Sequence, residues 1–294
     1  VKIFIPATSA NLGPGFDALG LALDLYNEVT ITPSSVASIS IKGEGASRPR
    51  LKSHNPFVSI FHETYNKLRG KKETFRFEFL NQIPLSRGLG SSSAVIVGAI
   101  GAAHKLAGVK VDKARILDMA LVYESHPDNI APAVHGGFTV SIVNEGHAHV
   151  QKKELPEEIC AVLVIPNRPM STAKSRTQLP KHYSMKEAVF NLSHAAALSS
   201  AFFNESWDLL QLASKDAMHE ERRMQQLPEL FKVREVALKH GALMSTLSGS
   251  GSTFLNVAYL NEAKSLANTL KTTFPDFKII QCKFDNQGFY MQDS

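Results

Sequence analysis

The sequence predicts an α+β protein of two domains. Both halves mix strand-like and helix-like segments without a regular βαβ alternation. A polar stretch, Glu145-Gly146-His147-Ala148-His149, leads into a charged run ending Glu154-Leu155-Pro156-Glu157-Glu158 and marks a boundary near residue 150. Beyond it, the order strand, helices, strand, strand, helix, strand is that of a split βαβ, ferredoxin-like unit carrying extra helices. At 294 residues the chain accommodates two ordinary domains, 1–150 and 151–294.

Val1–Pro6 alternates as an edge strand, and Leu23–Thr32 and Ser38–Lys42 read as strands. Asn55–Leu68 carries Phe57, Ile60, Phe61, Tyr65 and Leu68 at helical spacing and is stopped by Gly70. Thr74–Ile83 places Phe75, Phe77 and Phe79 on one face of a half-buried strand. A small-apolar run then predicts a helix ending at Gly108, and Asp112 caps another through about Tyr123. Gly136-Gly137 turns the chain into the strand Phe138–Val143.

The second half opens with the strand Ile159–Ile165. Ser184-Met185-Lys186-Glu187 is a capping box that starts a long helix. A second helix is expected from about Trp207 to Gln226 and a third from Pro228 to Gly241, proline first and glycine last. Strands Ala242–Leu247 and Thr253–Tyr259 flank Ser248-Gly249-Ser250-Gly251. A helix capped by Asn261 and the strand Lys278–Phe284 complete the pattern.

Hydrophobic residues make up 44% of the chain and charged residues 20%, ordinary values for a soluble enzyme. The net charge is +5, but the 32 basic residues are scattered, so no nucleic-acid partner is expected. The mild positive balance suits an anionic substrate such as a nucleotide. Cys160 and Cys282 lie in apolar strands and are expected to be reduced and buried, which fits a cytoplasmic setting. The apolar start Val1–Pro6 is too short and proline-broken for a signal peptide, and Ala94–Ala103 is too short to cross a bilayer, so no membrane partner is expected.

The most informative segment is Pro84-Leu85-Ser86-Arg87-Gly88-Leu89-Gly90-Ser91-Ser92-Ser93, lying between a strand and a helix. Glycines let a backbone approach an anion, and the N–H groups and dipole of a helix start attract it. Serine hydroxyls can bond phosphate oxygens or Mg²⁺. A simple helix cap needs one serine, not this run. The loop is neither a Walker pattern nor a Gly-x-Gly-x-x-Gly loop, and both are absent from the chain.

Three more segments carry unusual chemistry. Pro6-Ala7-Thr8-Ser9-Ala10-Asn11-Leu12-Gly13-Pro14-Gly15-Phe16-Asp17 offers Asn11 and Asp17, a pair suited to an amine and a hydroxyl. Glu124-Ser125-His126-Pro127-Asp128-Asn129, in an expected loop reaching to Gly137, concentrates acid, imidazole and amide groups between apolar elements. Ser248–Ser252 joins two strands and suits either a phosphate or a partner loop.

These four segments, in this order, resemble the GHMP kinase superfamily and, within it, the homoserine kinase family. Pro84 to Ser92 matches the Pro-x-x-x-Gly-Leu-Gly-Ser-Ser phosphate loop, and Ser248–Ser252 the C-terminal glycine loop. The Pro6–Asp17 segment, His126-Pro127-Asp128-Asn129-x-Ala131-Pro132-Ala133 and Ser171-Thr172-x3-Arg176 are similar to the homoserine kinase signatures. The one departure is Ser252, where the family often has proline.

The resemblance implies a ribosomal protein S5 domain 2-like N-terminal domain and a ferredoxin-like C-terminal domain. It implies ATP and Mg²⁺ as cofactors, L-homoserine as the phosphoryl acceptor, and a possible homodimer. Gly88–Ser93 would hold the β- and γ-phosphates, with the rest of Pro84–Ser93 and Asn55 completing the nucleotide site. Ser92 and Glu124 match the metal position. Asn11 and Asp17 suit the ammonium and hydroxyl end of the acceptor, and Arg176 matches the family's carboxylate-binding arginine. Arg223 is a second guanidinium, its register against Arg222 left open. His126 and Thr172 would line the same pocket. Asn129 stands where mevalonate kinases carry an aspartate base, which implies that the γ-phosphate itself takes the hydroxyl proton. Asp128, its neighbour, is the rival base. A kinase for another small alcohol, such as mevalonate, and an inactive nucleotide sensor are the other readings.

Overall fold

The computed structural model describes residues 1–170 and 172–293, without the side chains of 172–174. Two sheets organise it. The first holds β1 (Lys2–Ala10), β2 (Leu19–Pro33), β3 (Ser38–Gly43), β4 (Phe75–Asn81), β5 (Phe138–Asn144) and β6 (His147–Lys153). The second holds β7 (Ile159–Ile165), β8 (Met244–Leu247), β9 (Phe254–Tyr259) and β10 (Lys278–Cys282), in the order β10-β7-β9-β8 and antiparallel throughout. In chain order that is 4-1-3-2, the expected ferredoxin-like arrangement. A last strand, β11 (Tyr290–Gln292), returns to the first sheet beside β1.

The long strand β2 forks the first sheet. Asn27–Pro33 pair with β4, Leu19–Leu21 pair with β5, and β1 runs along both parts. The alternating phenylalanines of β4 face inward as expected and meet Phe57 and Phe61 of the helix Pro56–Arg69 edge to face. The main core does not stop at the first sheet. Leu163, Ile165, Leu255 and Val257 of the second sheet belong to it, whereas Val162, Val164 and Phe254 point into a smaller core under the helices Glu229–Lys239 and Leu260–Thr273.

Several expectations change. Val1–Pro6, expected to be an edge strand, runs inside the sheet between β2 and β11, and Cys282, expected to be buried, is partly exposed. Residues 147–153, read as part of a polar boundary, form β6, because the two-residue reversal after Asn144 lets the strand pair along the whole of β5. The segment before Gly137, read as a loop, contains the helix Pro127–His135; Pro127 stands at its first position, where no N–H is needed, and Pro132 is tolerated further in. The helix expected over 207–226 is broken. It is a short turn at Trp207–Leu209, then Leu210–Ala213, then Glu220–Met224. Asp216 causes the restart, since its carboxylate accepts from the N–H groups of His219 (2.7 Å) and Glu220 (2.8 Å). The helix assigned an Asn261 cap begins at Leu260. By contrast, Asp112 and Ser184 cap the helices that follow them as expected, Ser184 with its full capping box, and Asn55 caps the helix Pro56–Arg69 without having been expected to.

Candidate active site

A cavity of about 590 Å³ runs between the loop after β1, the phosphate loop, the helix Pro127–His135 and the glycine loop after β8. It has three regions. The first is apolar, walled by Ile41, Leu51, Pro56, Phe57, Phe79, Leu85 and Val95, with Asn27, Asn55 and Asn81 among them. Its apolar lining suits a flat ring such as a purine. Asn55 lines it as expected, but its Oδ1 accepts from the N–H groups of Phe57 (3.0 Å) and Val58 (3.4 Å). Its carbonyl therefore acts as a helix cap rather than as a base-reading group.

The second region is an anion seat. Gly90 is the N-cap of the helix Ser91–Leu106 and adopts φ 66°. The first-turn N–H groups of Ser91, Ser92 and Ser93 have no helical acceptor and carry the positive end of the dipole. Only glycine fits at position 90, because a Cβ would stand 1.9 Å from Thr8 Oγ1 and 3.1 Å from Asn129 Oδ1. The loop is braced from behind. Thr8 N–H donates to Leu89 O (3.2 Å), Ser248 Oγ to Gly88 O (2.6 Å) and Thr253 N–H to Arg87 O (3.0 Å). Of the two partners considered for Ser248–Ser252, the structure thus brings a loop against it. Arg87 turns its guanidinium to Pro166 O, Leu85 O and Asn167 Oδ1, so it staples the loop to the segment after β7. Ser93 is buried and donates to Glu124 Oε2 (2.9 Å), whereas Ser92, the serine assigned by motif, is exposed on the cavity wall.

The third region is charged. Arg176 grips Asp17 in a bidentate pair, and His126 Nε2 stands 3.7 Å from Asp17 Oδ2. Asn11 is 3% exposed and lines the cavity, with its Nδ2 donating to Gly249 O (3.0 Å) and its Oδ1 accepting from Asp17 N–H (3.0 Å). Expected to grip the acceptor, Asn11 also folds the loop that presents Asp17. The structure separates the two arginines. Arg223 is 2% exposed and lines the cavity, while Arg222 turns away to Glu187, Ala217 O and Met218 O. Phe16, which the sequence reading passed over, lies between two guanidiniums, 5.1 Å from that of Arg176 and 5.2 Å from that of Arg223. Thr172 is another expected pocket residue, and its side chain lies outside the described residues.

Asp128 and Asn129 both line the cavity. Asn129 Oδ1 accepts from Thr8 Oγ1 (2.7 Å), which leaves its Nδ2 as the end available to a ligand. Thr8 gave no warning of this role beyond lying in a motif. Asp128 is nearly buried, and its Oδ1 accepts from the Asn129 N–H (2.9 Å). Burial, reinforced by the negative charges of Asp17 and Glu124, pushes its carboxyl up to about 7.

An anion seat continuous with a charged acceptor pocket is the geometry of a small-molecule kinase, and comparison with known proteins agrees. Residues 55–137 match the model of the GHMP kinases N terminal domain, and residues 195–276 match that of the GHMP kinases C terminal domain. A homoserine kinase of Campylobacter concisus (strain 13826) is 58% identical over 294 residues, spanning 100% of both chains. This chain belongs to the homoserine kinase family of GHMP kinases. The crystal structure of homoserine kinase from Cytophaga hutchinsonii ATCC 33406 has a TM-score of 0.87 at 27% identity, covering 99% of this chain and 96% of that one. The Methanococcus jannaschii mevalonate kinase shares the fold, with a TM-score of 0.71 at 15% identity over 97% of this chain and 98% of that one. Membership of the homoserine kinase family makes this chain an ATP-dependent kinase with the two-domain GHMP fold. Among the described residues no helix is long and apolar enough to cross a membrane.

Proposed function

We propose that this chain transfers the γ-phosphoryl group of ATP to the side-chain hydroxyl of L-homoserine, giving O-phospho-L-homoserine and ADP on the route to threonine, in the cytoplasm. One observation carries the acceptor assignment. The Asp17–Arg176 pair and the largely buried Arg223 guanidinium face one cavity. A zwitterionic amino acid answers all three groups at once. Its ammonium faces Asp17 and Asp128, and its carboxylate bridges Arg176 and Arg223.

The residues at the anion seat fit Mg²⁺. Glu124 supplies a hard carboxylate oxygen beside the helix start, and Ser92 supplies a hydroxyl on the cavity wall. Ser92 and Glu124 would hold the ion, with Ser93 orienting Glu124; when bound, Mg²⁺ neutralises charge on the transferring phosphates.

The chain's own groups do the positioning. The N–H groups at Ser91–Ser93 hold the phosphates, and Asn129 Nδ2 donates to the acceptor oxygen and orients its lone pair toward phosphorus. As the new O–P bond forms, the bond to the β-phosphate oxygen breaks and ADP leaves with its electron pair. The hydroxyl proton passes to a γ-phosphate oxygen, so no side-chain base is required. A panel of homoserine, mevalonate and 3-aminopropan-1-ol, assayed for ADP release with ATP and Mg²⁺, tests the reading. Homoserine is expected to exceed the other two in kcat/KM by at least about 100-fold, the lower end for two charge-assisted contacts. Equal or better turnover of either rival, or none with all three, defeats it.

A further inference from the structure

His219 touches neither the anion seat nor the acceptor pair, yet it stands directly behind Arg223. It is 1% exposed and precedes the short helix Glu220–Met224, one turn before that arginine. Its Nε2 lies 2.7 Å from Gly13 O, and its Nδ1 lies 3.2 Å from Arg223 Nη1. These two neighbours fix the proton. A carbonyl only accepts, so Nε2 carries the hydrogen. A guanidinium only donates, so Nδ1 must offer a bare lone pair. Both contacts exist together only in the neutral Nε2–H imidazole. Burial favours that form by holding the His219 pKa well below its ordinary value, and the Arg223 charge adds to this while Asp216 opposes it.

Arg223 is oriented by the same contacts. Both Nη1 hydrogens are taken, one by Gly249 O (3.0 Å) and one by His219 Nδ1, so Nη2 is the end of the guanidinium left to a ligand in the cavity that Arg223 lines.

We propose that His219 is the positioning residue that turns Arg223 so that its Nη2 end reads the carboxylate of the acceptor. The proposal rests on the amino-acid reading of the cavity. An apolar side chain at 219 would fill the same volume but leave one Nη1 hydrogen and the Gly13 carbonyl unpaired. The guanidinium would then be free to swing toward the carboxylates in the pocket. The backbone at this point does not depend on the imidazole, because Asp216 holds the N–H groups of His219 and Glu220, and Asn191 holds Asp216 (2.9 Å) and Ala217 N–H (2.8 Å).

The test compares His219→Gln with His219→Met, which are nearly equal in volume. Glutamine can donate to Gly13 and accept from Arg223; methionine can do neither well. The homoserine KM, the ATP KM, kcat and the inhibition constant of 3-aminopropan-1-ol, which lacks the carboxylate, are measured for each. The Met variant is expected to raise the homoserine KM about 10–100-fold, the range of one charge-assisted hydrogen bond. The ATP KM and the amino-alcohol constant should stay within about threefold of wild type, and the Gln variant should recover most of the loss. Equal weakening of homoserine and amino alcohol in the Met variant overturns the proposal while leaving the amino-acid reading intact. Wild type that does not prefer homoserine overturns both. Nitrogen NMR of the His219 ring in the wild-type enzyme is the check that needs no variant, and a proton on Nδ1 overturns the proposal.

Discussion

Arg176 and Asp17 close on each other through two parallel hydrogen bonds, Nη1 to Oδ2 at 3.0 Å and Nη2 to Oδ1 at 2.7 Å. Each was assigned from the sequence to a different charge of the acceptor. In the fold they satisfy one another, so a ligand with a single charge gains little by entering. A zwitterion replaces one ion pair by two and leaves no charge unmatched. The same pair explains why Asp17 can adopt a left-handed backbone (φ 59°) at the end of a glycine-proline loop, since Asn11 Oδ1 fixes its N–H and Arg176 its carboxylate.

Arg176→Lys keeps the charge but loses the planar fork. The homoserine kcat/KM is expected to fall about 10–100-fold, with the ATP KM within about twofold. Preference for homoserine over 3-aminopropan-1-ol should shrink in parallel. A variant that keeps the full wild-type preference shows that Arg176 does not read the carboxylate.

Glu124→Gln preserves a hydrogen-bond acceptor for Ser93 Oγ and removes the charge. Its fold should be intact by circular dichroism and its melting temperature close to wild type. Its kcat is expected to fall by about 10²–10³, the usual consequence of losing electrostatic stabilisation of a transition state. Higher Mg²⁺ should restore part of the rate, because the lost group would be a metal ligand. Near-normal turnover rules the assignment out.

Gly90→Ala tests the geometry of the anion seat. A methyl group there collides with Thr8 Oγ1 and forces a left-handed backbone on an L-residue. The helix start must shift, and the Thr8–Asn129 hydrogen bond with it. The expected result is a rise of at least about tenfold in the ATP KM together with a drop in kcat, since a displacement of about 1 Å is enough for such losses. Unchanged ATP kinetics in the alanine variant would mean that phosphates do not sit at this helix start.

The sequence and the structure agree best where one local rule decides. The phenylalanine alternation of β4 and the Asp112 and Ser184 caps are set by short-range pattern. They diverge where a distant partner decides. Asp216 breaks a helix that propensity favours because its carboxylate serves two N–H groups and one buried amide. Asn11 carries the same side chain that a ligand contact would need, and only the approach of Gly249 reveals that it is engaged. The choice of Arg223 over Arg222 depends on which face of a five-residue helix turns inward, and so short a segment shows no periodicity. Ser93 rather than Ser92 meets Glu124 for the same reason: three serines in one helical turn point in three directions.

Asp128 is the remaining question, and pH separates its two possible roles. Its carboxyl is raised from an ordinary value near 3.8 to about 7 in the fold, chiefly by burial, then by the charges of Asp17 and Glu124. The folded protein therefore holds a proton that the unfolded chain has lost between those two values. The stabilising contribution is complete below pH of about 4 and disappears as pH rises through about 7. Asp128→Asn mimics the protonated form at every pH. In the absence of ligands its melting temperature should stand progressively above that of wild type as pH rises from about 5 to 8. Glu220, likewise held up to about 8 by burial, is present in both proteins and cancels in the difference. A constant difference across that range would show that Asp128 does not titrate there. Activity then decides the chemistry. If the γ-phosphate takes the hydroxyl proton, the Asn variant keeps a substantial kcat and its main loss is in the homoserine KM, because one carboxylate facing the ammonium is gone. If Asp128 is the base, kcat falls about 10²–10⁴-fold and the acidic limb of the wild-type profile vanishes with it. The structure favours the first outcome. Asp128 accepts the N–H of Asn129 and sits among like charges that an ammonium answers, and Asn129 itself presents only a donor to the acceptor oxygen.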